Sequence, residues 1–380
     1  MDFVIILFTL LYLLYLFYEA YQNEKNRQKI KHVIHVNGTR GKSSTARLIE
    51  AGLRSGGYRV FCKTTGTRPM FIDVNGEESL IVRKAGPNIK EQIRVLRQAA
   101  RQKADIAIVE CMAVKPELQY ISQDKILKAD ISIVTNVRRD HLEEMGPTLE
   151  DVAASLGKAM PKDGIFITGE EKFLDYYAEL GRRRNSKVFL AGQLENNFGI
   201  DFKENLEIAL EICRLLGVDK KAALEGMKQY KKDPGALKIY QIRTSNKKVV
   251  QFINGFAIND PDSIKIIYDG LRAKGVFENR EFILLINNRR DRPYRVKQHI
   301  EIIKYIQPDK IWIIGACKAA MKNHIYRNGF SREKIQVFGK IDDMNLEGLE
   351  NDSAIFAIGN FVGNGELILK YVKGIGDVVV

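Results

Sequence analysis

The chain has 380 residues, 45% of them hydrophobic and 28% charged, which is enough for two domains of ordinary size with buried cores and excludes a small stapled scaffold. A formal net charge of +13 favours an anionic partner, but no arginine-rich tail, recognition-helix pattern or RNP-like aromatic motif is present, which sets nucleic acid aside. Cys62, Cys111, Cys213 and Cys317 lie far apart, without Cys-x-x-Cys spacing or clustered histidines, so they read as reduced cytosolic thiols and not as a disulfide or zinc framework.

The first predicted element is Phe3–Tyr18, sixteen residues without a charge. Lys25, Arg27, Lys29 and Lys31 follow closely, and the positive-inside bias then puts the C-terminal side of a membrane segment in the cytoplasm. A cleaved signal peptide fits poorly, because no basic residues precede the run and no small-residue cleavage site follows it. At about 1.5 Å per residue the run spans roughly 24 Å against a hydrocarbon core of about 30 Å, so thinning or a partner is expected. Tyr12, Tyr15 and Tyr18 recur at i, i+3 and i+6, which fits either a membrane protein partner or a simple anchor with interfacial tyrosines. The expected localisation is the cell membrane, with a single N-terminal span over 1–22, a basic linker over 23–31 and catalytic domains in the cytoplasm.

The apolar pair Val33-Ile34 precedes Asn37-Gly38-Thr39-Arg40-Gly41-Lys42-Ser43-Ser44, and a helix-like segment, Thr45 to Ser55, follows. Strand, glycine loop and helix together make a phosphate cradle. Gly38 and Gly41 permit backbone conformations and a close approach that a Cβ would obstruct, so successive N–H groups converge on phosphate oxygens at the positive end of a helix. Lys42 adds a point charge, and Ser43 is placed to offer its hydroxyl to the magnesium ion that accompanies the β- and γ-phosphates. ATP is therefore the expected ligand, with magnesium, or manganese in its place. The glycine expected five positions before Gly41 is Val36, a departure from the common P-loop spelling.

Arg59–Lys63 reads as a second strand, and Asn88 to Lys103 has helical spacing of Ile89, Ile93, Leu96 and Ala100. Ile106–Val109 and Ile131–Val134 are short apolar runs of the kind buried in parallel sheets. Their alternation with helices predicts an α/β sheet covered on both faces, whose ligands lie beyond the strands' carboxyl ends. Asn205 to Leu216 and Lys220 to Tyr230 read as two helices split by Gly217, and Asp233-Pro234-Gly235 marks a turn. A second α/β series starts near Tyr240, giving expected domains of 32–238 and 239–380.

Glu110 directly follows one buried run and Asn136-Val137-Arg138-Arg139-Asp140-His141-Leu142 follows the next, so two strand ends deliver an acid and an imidazole toward the cradle. Alone, either residue reads as a solvated loop or structural group. Taken together, Gly-Thr-x-Gly-Lys-Ser, the strand-terminal Glu110 and Asn136-x-x-x-Asp140-His141-Leu142 resemble the central domain of Mur ligases and folylpolyglutamate synthases. Asn254 to Ser263 is similar to the segment that opens that superfamily's C-terminal domain. Lys63 to Pro69, Val109 to Gln119 and Asp291-Arg292, with a membrane segment running into the nucleotide domain, resemble the ligase-subunit family of poly-γ-glutamate synthases, PgsB/CapB. The resemblance implies a fold with a P-loop-containing Mur-ligase-like central domain, a smaller Rossmann-like α/β domain after it, and an N-terminal transmembrane helix.

By resemblance, Gly38, Thr39, Gly41 and Lys42 would hold the triphosphate with Arg40 and Ser44 lining the loop, Ser43 and Glu110 would ligate one magnesium ion, and His141 a second. Asn136 and Asp140 would orient the His141 loop. Asn259, Arg290 and Arg292 would reach the nucleotide or a carboxylate, the alternative for the arginine cluster being a solvated turn. Many relatives bridge the second metal site with a carbamylated lysine about sixteen residues past the equivalent of Asp140; here that position is Leu156, and Lys158 is a weak substitute. The implied activity is ATP-dependent polymerisation of glutamate through its γ-carboxyl, by way of an acyl phosphate. Implied partners are glutamate, the poly-γ-glutamate chain, a small integral membrane subunit and an export subunit. The rivals are another Mur or folylpolyglutamate-type amide ligase and a membrane-tethered ATP-driven switch.

Overall fold

The structure, a computed structural model, describes residues 2–66, 68–83, 86–192, 194, 198, 200–233, 236–258, 260–288, 295–361 and 363–379. The chain forms two compact units, residues 1–233 and 234–380.

The first unit opens with helix α1 (Asp2–Gln28), followed by β1 (His32–Asn37), α2 (Lys42–Ser55), β2 (Val60–Thr64), β3 (Met70–Ile72) and β4 (Glu78–Leu80). Next come α3 (Glu91–Arg101), β5 (Ile106–Glu110), α4 (Pro116–Tyr120), a π-helical turn over Ile121–Leu127, β6 (Ile131–Val134), α5 (Leu142–Met145), α6 (Leu149–Gly157) and β7 (Ile165–Thr168). The unit closes with α7 (Leu174–Arg184), β8 (Lys187–Leu190), α8 (Lys203–Leu215) and α9 (Lys220–Lys228). Its eight strands lie in the order β4-β3-β2-β5-β1-β6-β7-β8. β2, β5, β1, β6, β7 and β8 are mutually parallel, and β3 runs antiparallel to both β2 and β4.

Parallel pairing needs cover on both faces, and the chain supplies it. Ile34, Val36, Ile108 and Ile133 face a core closed by Leu48, Leu206, Ile212 and Met227 of α2, α8 and α9. Val33, Phe61, Ala107 and Val109 face Val95, Leu96 and Ala99 of α3. The fully buried face of α3 is Gln92, Val95, Leu96 and Ala99, while Ile93 and Ala100 are only half-buried. α3 is flanked by α1 as well as by the sheet, so its apolar surface is broader than the single stripe expected from the sequence.

α1 is long and apolar enough to cross a membrane. It continues without a break through most of the stretch expected to be linker, and its C-terminal part is tied to the unit. Asn23 is buried and donates through Nδ2 to Ile126 O (2.8 Å), and Arg27 pairs with Asp130 (2.7 Å).

The second unit contains β9 (Lys238–Arg243), β10 (Val249–Gly255), α10 (Pro261–Ala273), β11 (Glu281–Asn288), α11 (Arg295–Ile306) and β12 (Lys310–Gly315). It continues with α12 (Lys318–Arg327), β13 (Ile335–Val337), β14 (Ser353–Gly359), α13 (Asn364–Ile375) and β15 (Gly376–Val378). Its seven-stranded sheet has the order β13-β12-β11-β14-β10-β9-β15, with β9 antiparallel to both neighbours. Asp260 caps α10 by accepting from Ser263 N (2.8 Å), with Pro261 in the first turn.

Candidate active site

β1 ends at Asn37 and the chain turns through Gly38 and Gly41 into α2, both glycines having positive φ (128° and 77°). A Cβ on Gly38 would lie 2.0 Å from Thr135 Oγ1, and one on Gly41 would lie 2.3 Å from Asn205 Oδ1. Both positions therefore require glycine on two grounds, backbone conformation and space. Gly41 is the N-cap residue of α2 and offers no side-chain cap, so the first-turn N–H groups point into the loop where an anion is stabilised. Lys42 folds back over the loop and donates through Nζ to Gly38 O (2.6 Å) and Thr39 O (3.2 Å). Burial lowers its pKa, against the opposing pull of Glu110 and Asp140.

Glu110, the last residue of β5, is 2% exposed and accepts from Ser43 Oγ (2.8 Å) and Thr65 N (2.5 Å). Gly66 N in turn donates to Ser43 Oγ (3.1 Å). A carboxylate and a hydroxyl held together at the mouth of a phosphate loop are the hard-oxygen donors that suit magnesium or manganese, so the residues present fit such an ion. The buried Asp233 joins this group: a Cβ on Gly66 would lie 2.4 Å from Asp233 Oδ2 and 2.6 Å from Ser43 Oγ. Beneath Glu110 lies Lys63, fully buried, with Nζ 3.5 Å from Glu110 O and 3.6 Å from Met112 Sδ. Burial lowers its pKa to about 8, opposed by Glu110 and Glu91.

The loop after β6 is bound to the cradle. Asn136 Oδ1 accepts from Thr39 Oγ1 (2.7 Å) and Arg40 N (3.0 Å), and Asn136 Nδ2 donates to Arg40 O (3.2 Å). Arg40 forms an ion pair with Asp140 (3.0 Å). Asp140 Oδ1 accepts from His141 N (3.1 Å), and the His141 ring lies 3.9 Å from Asp140 Oδ2 and 3.8 Å from Glu143 Oε1. His141 adopts left-handed backbone angles (φ 50°, ψ 40°) where the loop enters α5, an uncommon conformation for a residue with a Cβ.

Gly38, Thr39, Arg40, Gly41, Lys42, Ser43, Ser44, Glu110, Asn136, Asp140 and His141 thus all stand at the carboxyl edge of one sheet, beyond β1, β5 and β6. Direct contacts join Ser43 to Glu110 and the loop to Asn136 and Asp140; His141 is tied to the loop through Asp140. Lys158 is exposed at the far end of α6, the end that leads down to the start of β7, whereas Leu156 is fully buried. Asn259, Arg290 and Arg292 lie outside the described residues. Asn37, Thr65, Gly66, Gln119 and Asp233 stand in stretches noted in the sequence, but without a site role of their own. Asn37 Nδ2 donates to Gln119 Oε1 (2.7 Å), and Asn37 Oδ1 accepts from Gly38 N (2.9 Å), which ties the start of the cradle to the segment after β5. Their polar types give no signal on their own, because their partners lie far away in sequence.

Residues 36–213 match the Mur ligase middle domain, and residues 239–375 match the poly-gamma-glutamate synthase CapB C-terminal domain. The capsule biosynthesis protein CapB of Bacillus anthracis is 33% identical, covering 90% of this chain and 73% of that protein. The PGA synthase CapB of Bacillus subtilis (strain 168) is 30% identical, covering 89% of each. Among solved structures, E. coli FolC in complex with ADP, without folate substrate, superposes with a TM-score of 0.68 at 16% identity, covering 94% of this chain and 92% of that one. With residues 36–213 matching the Mur ligase middle domain and about nine-tenths of its length aligned to two CapB proteins, the chain belongs to the CapB family of poly-gamma-glutamate synthases and is an ATP-dependent amide ligase.

Proposed function

We propose that this ligase joins glutamate units through their γ-carboxyl groups, converting ATP to ADP and phosphate by way of an acyl phosphate. The observation that carries the reading is the Ser43–Glu110 pair at the mouth of the glycine loop, part-buried and backed by the amides of Thr65 and Gly66. In the first step a carboxylate oxygen of the acceptor attacks the γ-phosphorus, the bond between the β-γ bridging oxygen and that phosphorus breaks, and ADP leaves. In the second, the amine of another glutamate attacks the acyl carbon; the C–N bond forms, phosphate leaves and the amine loses a proton.

Negative charge grows on the transferring oxygens throughout, so preorganised cations and N–H groups contribute most. Loop amides and the α2 N-terminus bind the phosphates, and Lys42 leaves the carbonyls of Gly38 and Thr39 to meet them. Arg40, held by Asp140 and Asn136, keeps the loop's shape. Ser43 and Glu110 would hold one divalent ion and His141 a second, which when bound neutralise phosphate charge and polarise the attacked phosphorus. The names of the relatives support a polyglutamate product and α1 supports a membrane location; a small integral membrane subunit and an export subunit as partners rest on the family resemblance alone.

Membranes containing the protein, supplied with ATP, magnesium, hydroxylamine and L- or D-glutamate, are expected to give glutamate-dependent hydroxamate and ADP. Release of AMP and pyrophosphate, or ATP turnover indifferent to any carboxylate, sinks the proposal. Lys42→Ala and Glu110→Ala are each expected to abolish hydroxamate formation without changing the circular dichroism spectrum.

A further inference from the structure

We propose that the first unit stands with the carboxyl edge of its sheet, and the candidate site on that edge, against the cytoplasmic leaflet. The inference rests on the reading of Phe3–Tyr18 as a membrane span. It goes beyond that reading by fixing which way the site faces.

The direction follows from how α1 is docked. Glu19, one residue past the apolar run, pairs with Lys90, which immediately precedes α3 (3.1 Å). Eight residues later Arg27 pairs with Asp130, which immediately precedes β6, and donates through Nε to Lys128 O (3.0 Å). Lys128 reaches back to Glu24 (2.6 Å), and Asn23 holds Ile126 between these rungs. α1 therefore lies along the unit with its Glu19 level at the start of α3 and its Arg27 level at the amino edge of the sheet.

The start of α3 is level with the carboxyl edge. The helix descends to Arg101, and Asp105 N then donates to Arg59 O just before β2 begins, so the C-terminus of α3 marks the amino edge. At its other end Glu91 pairs with Arg83 (2.6 Å) and acts on Lys63, the residue that pairs with Val109 at the ends of β2 and β5. The apolar run thus leaves the unit on the side that carries Gly38, Glu110 and His141. One residue of helix rises about 1.5 Å, which brings the start of α3 to within about one helical turn of the end of the apolar run.

The surface presented there carries apolar side chains that suit a bilayer interface. Met70 pairs with both Thr64 and Leu80, and Ile81 N donates to Pro69 O, so the end of β4 lies at the same edge. Leu80 is 53% exposed and Val82 73% exposed, while Lys90 and Lys115, exposed nearby, are paired with Glu19 and Glu144. Apolar side chains exposed at the edge from which α1 departs are what an interfacial foot needs. The occupant of this face is the bilayer that holds α1. A site so placed delivers a polycarboxylate at the membrane surface and not into bulk cytosol.

The test uses the full chain in vesicles of phosphatidylcholine and phosphatidylglycerol. Cys62, Cys111 and Cys213 are buried and Cys317 is exposed, so Cys317→Ser provides a background for labelling Val82→Cys and, at the opposite edge, Arg101→Cys with an environment-sensitive fluorophore. Lipids carrying a headgroup nitroxide are expected to quench the probe at 82 several-fold more strongly than the probe at 101. Equal quenching, stronger quenching at 101, or quenching of neither overturns the orientation. Release of the protein by alkaline carbonate overturns the span itself, and so distinguishes failure of the underlying reading from failure of the orientation.

Discussion

Gly38 concentrates the requirements of the loop in a single residue. Its φ of 128° and the 2.0 Å approach of Thr135 Oγ1 to a built Cβ leave no neighbouring position for a methyl group. Gly38→Ala is expected to cost about 2–4 kcal/mol, combining backbone strain with overpacking. In thermal unfolding it should lower the midpoint and remove the stabilisation that ADP gives the wild type. Lys63 makes a second, pH-dependent case. Its pKa of about 8 in the folded chain lies below the ordinary 10.5, so between those values the unfolded chain binds more protons and stability rises with pH. Relative to Lys63→Met, the wild type is expected to gain up to about 3 kcal/mol between pH 8 and 10.5, with no relative gain below pH 8. Urea unfolding at paired pH values reads this difference, and a gap that does not change with pH contradicts it.

At the scale of elements, α1 behaves as two pieces with different duties. Its N-terminal part is exposed, and residues 19–28 are bound to the unit by Asn23 and Arg27. Deleting residues 1–18 is expected to leave the unfolding temperature within a few degrees of wild type. Deleting 1–29 removes a buried amide partner and a partly buried ion pair, at about 1–3 kcal/mol each, and should lower it markedly. The central strands are legible in the sequence because Ile106–Val109 and Ile131–Val134 are buried on both faces, and that burial leaves an unbroken apolar run. β3 and β4, three residues each at the sheet's edge, leave no comparable trace. The π-helical turn at Ile121–Leu127 is likewise invisible locally. It brings Gln123 to the buried His35 (3.0 Å) and to Ser132, and such a fault in helical register pays off only through partners distant in sequence. In the site, Glu110 stands out because a charge ends an apolar run, whereas the placement of Thr65, Gly66 and Asp233 beside Ser43 and Glu110 comes from the fold and leaves no local mark of their role.

Over the whole molecule, the formal charge of +13 bears on the proposed substrate more than on the fold. A polymer with one carboxylate per residue should bind through many screened contacts. Raising sodium chloride from about 50 to about 500 mM shortens the Debye length from roughly 14 Å to roughly 4 Å, and should weaken poly-γ-glutamate binding severalfold. Sedimentation of labelled polymer with protein-bearing vesicles measures this; indifference to salt would mean that the basic surface serves another purpose. The unbroken course of α1 from Phe3 to Gln28 has a mechanical consequence as well. A stiff rod clamped at its lower end has no swivel, so when a thicker or thinner bilayer changes the tilt of the rod, the clamped unit must tilt with it. With α1 spanning the bilayer as proposed, lipid composition would then act as a lever on the attitude of the first unit at the membrane.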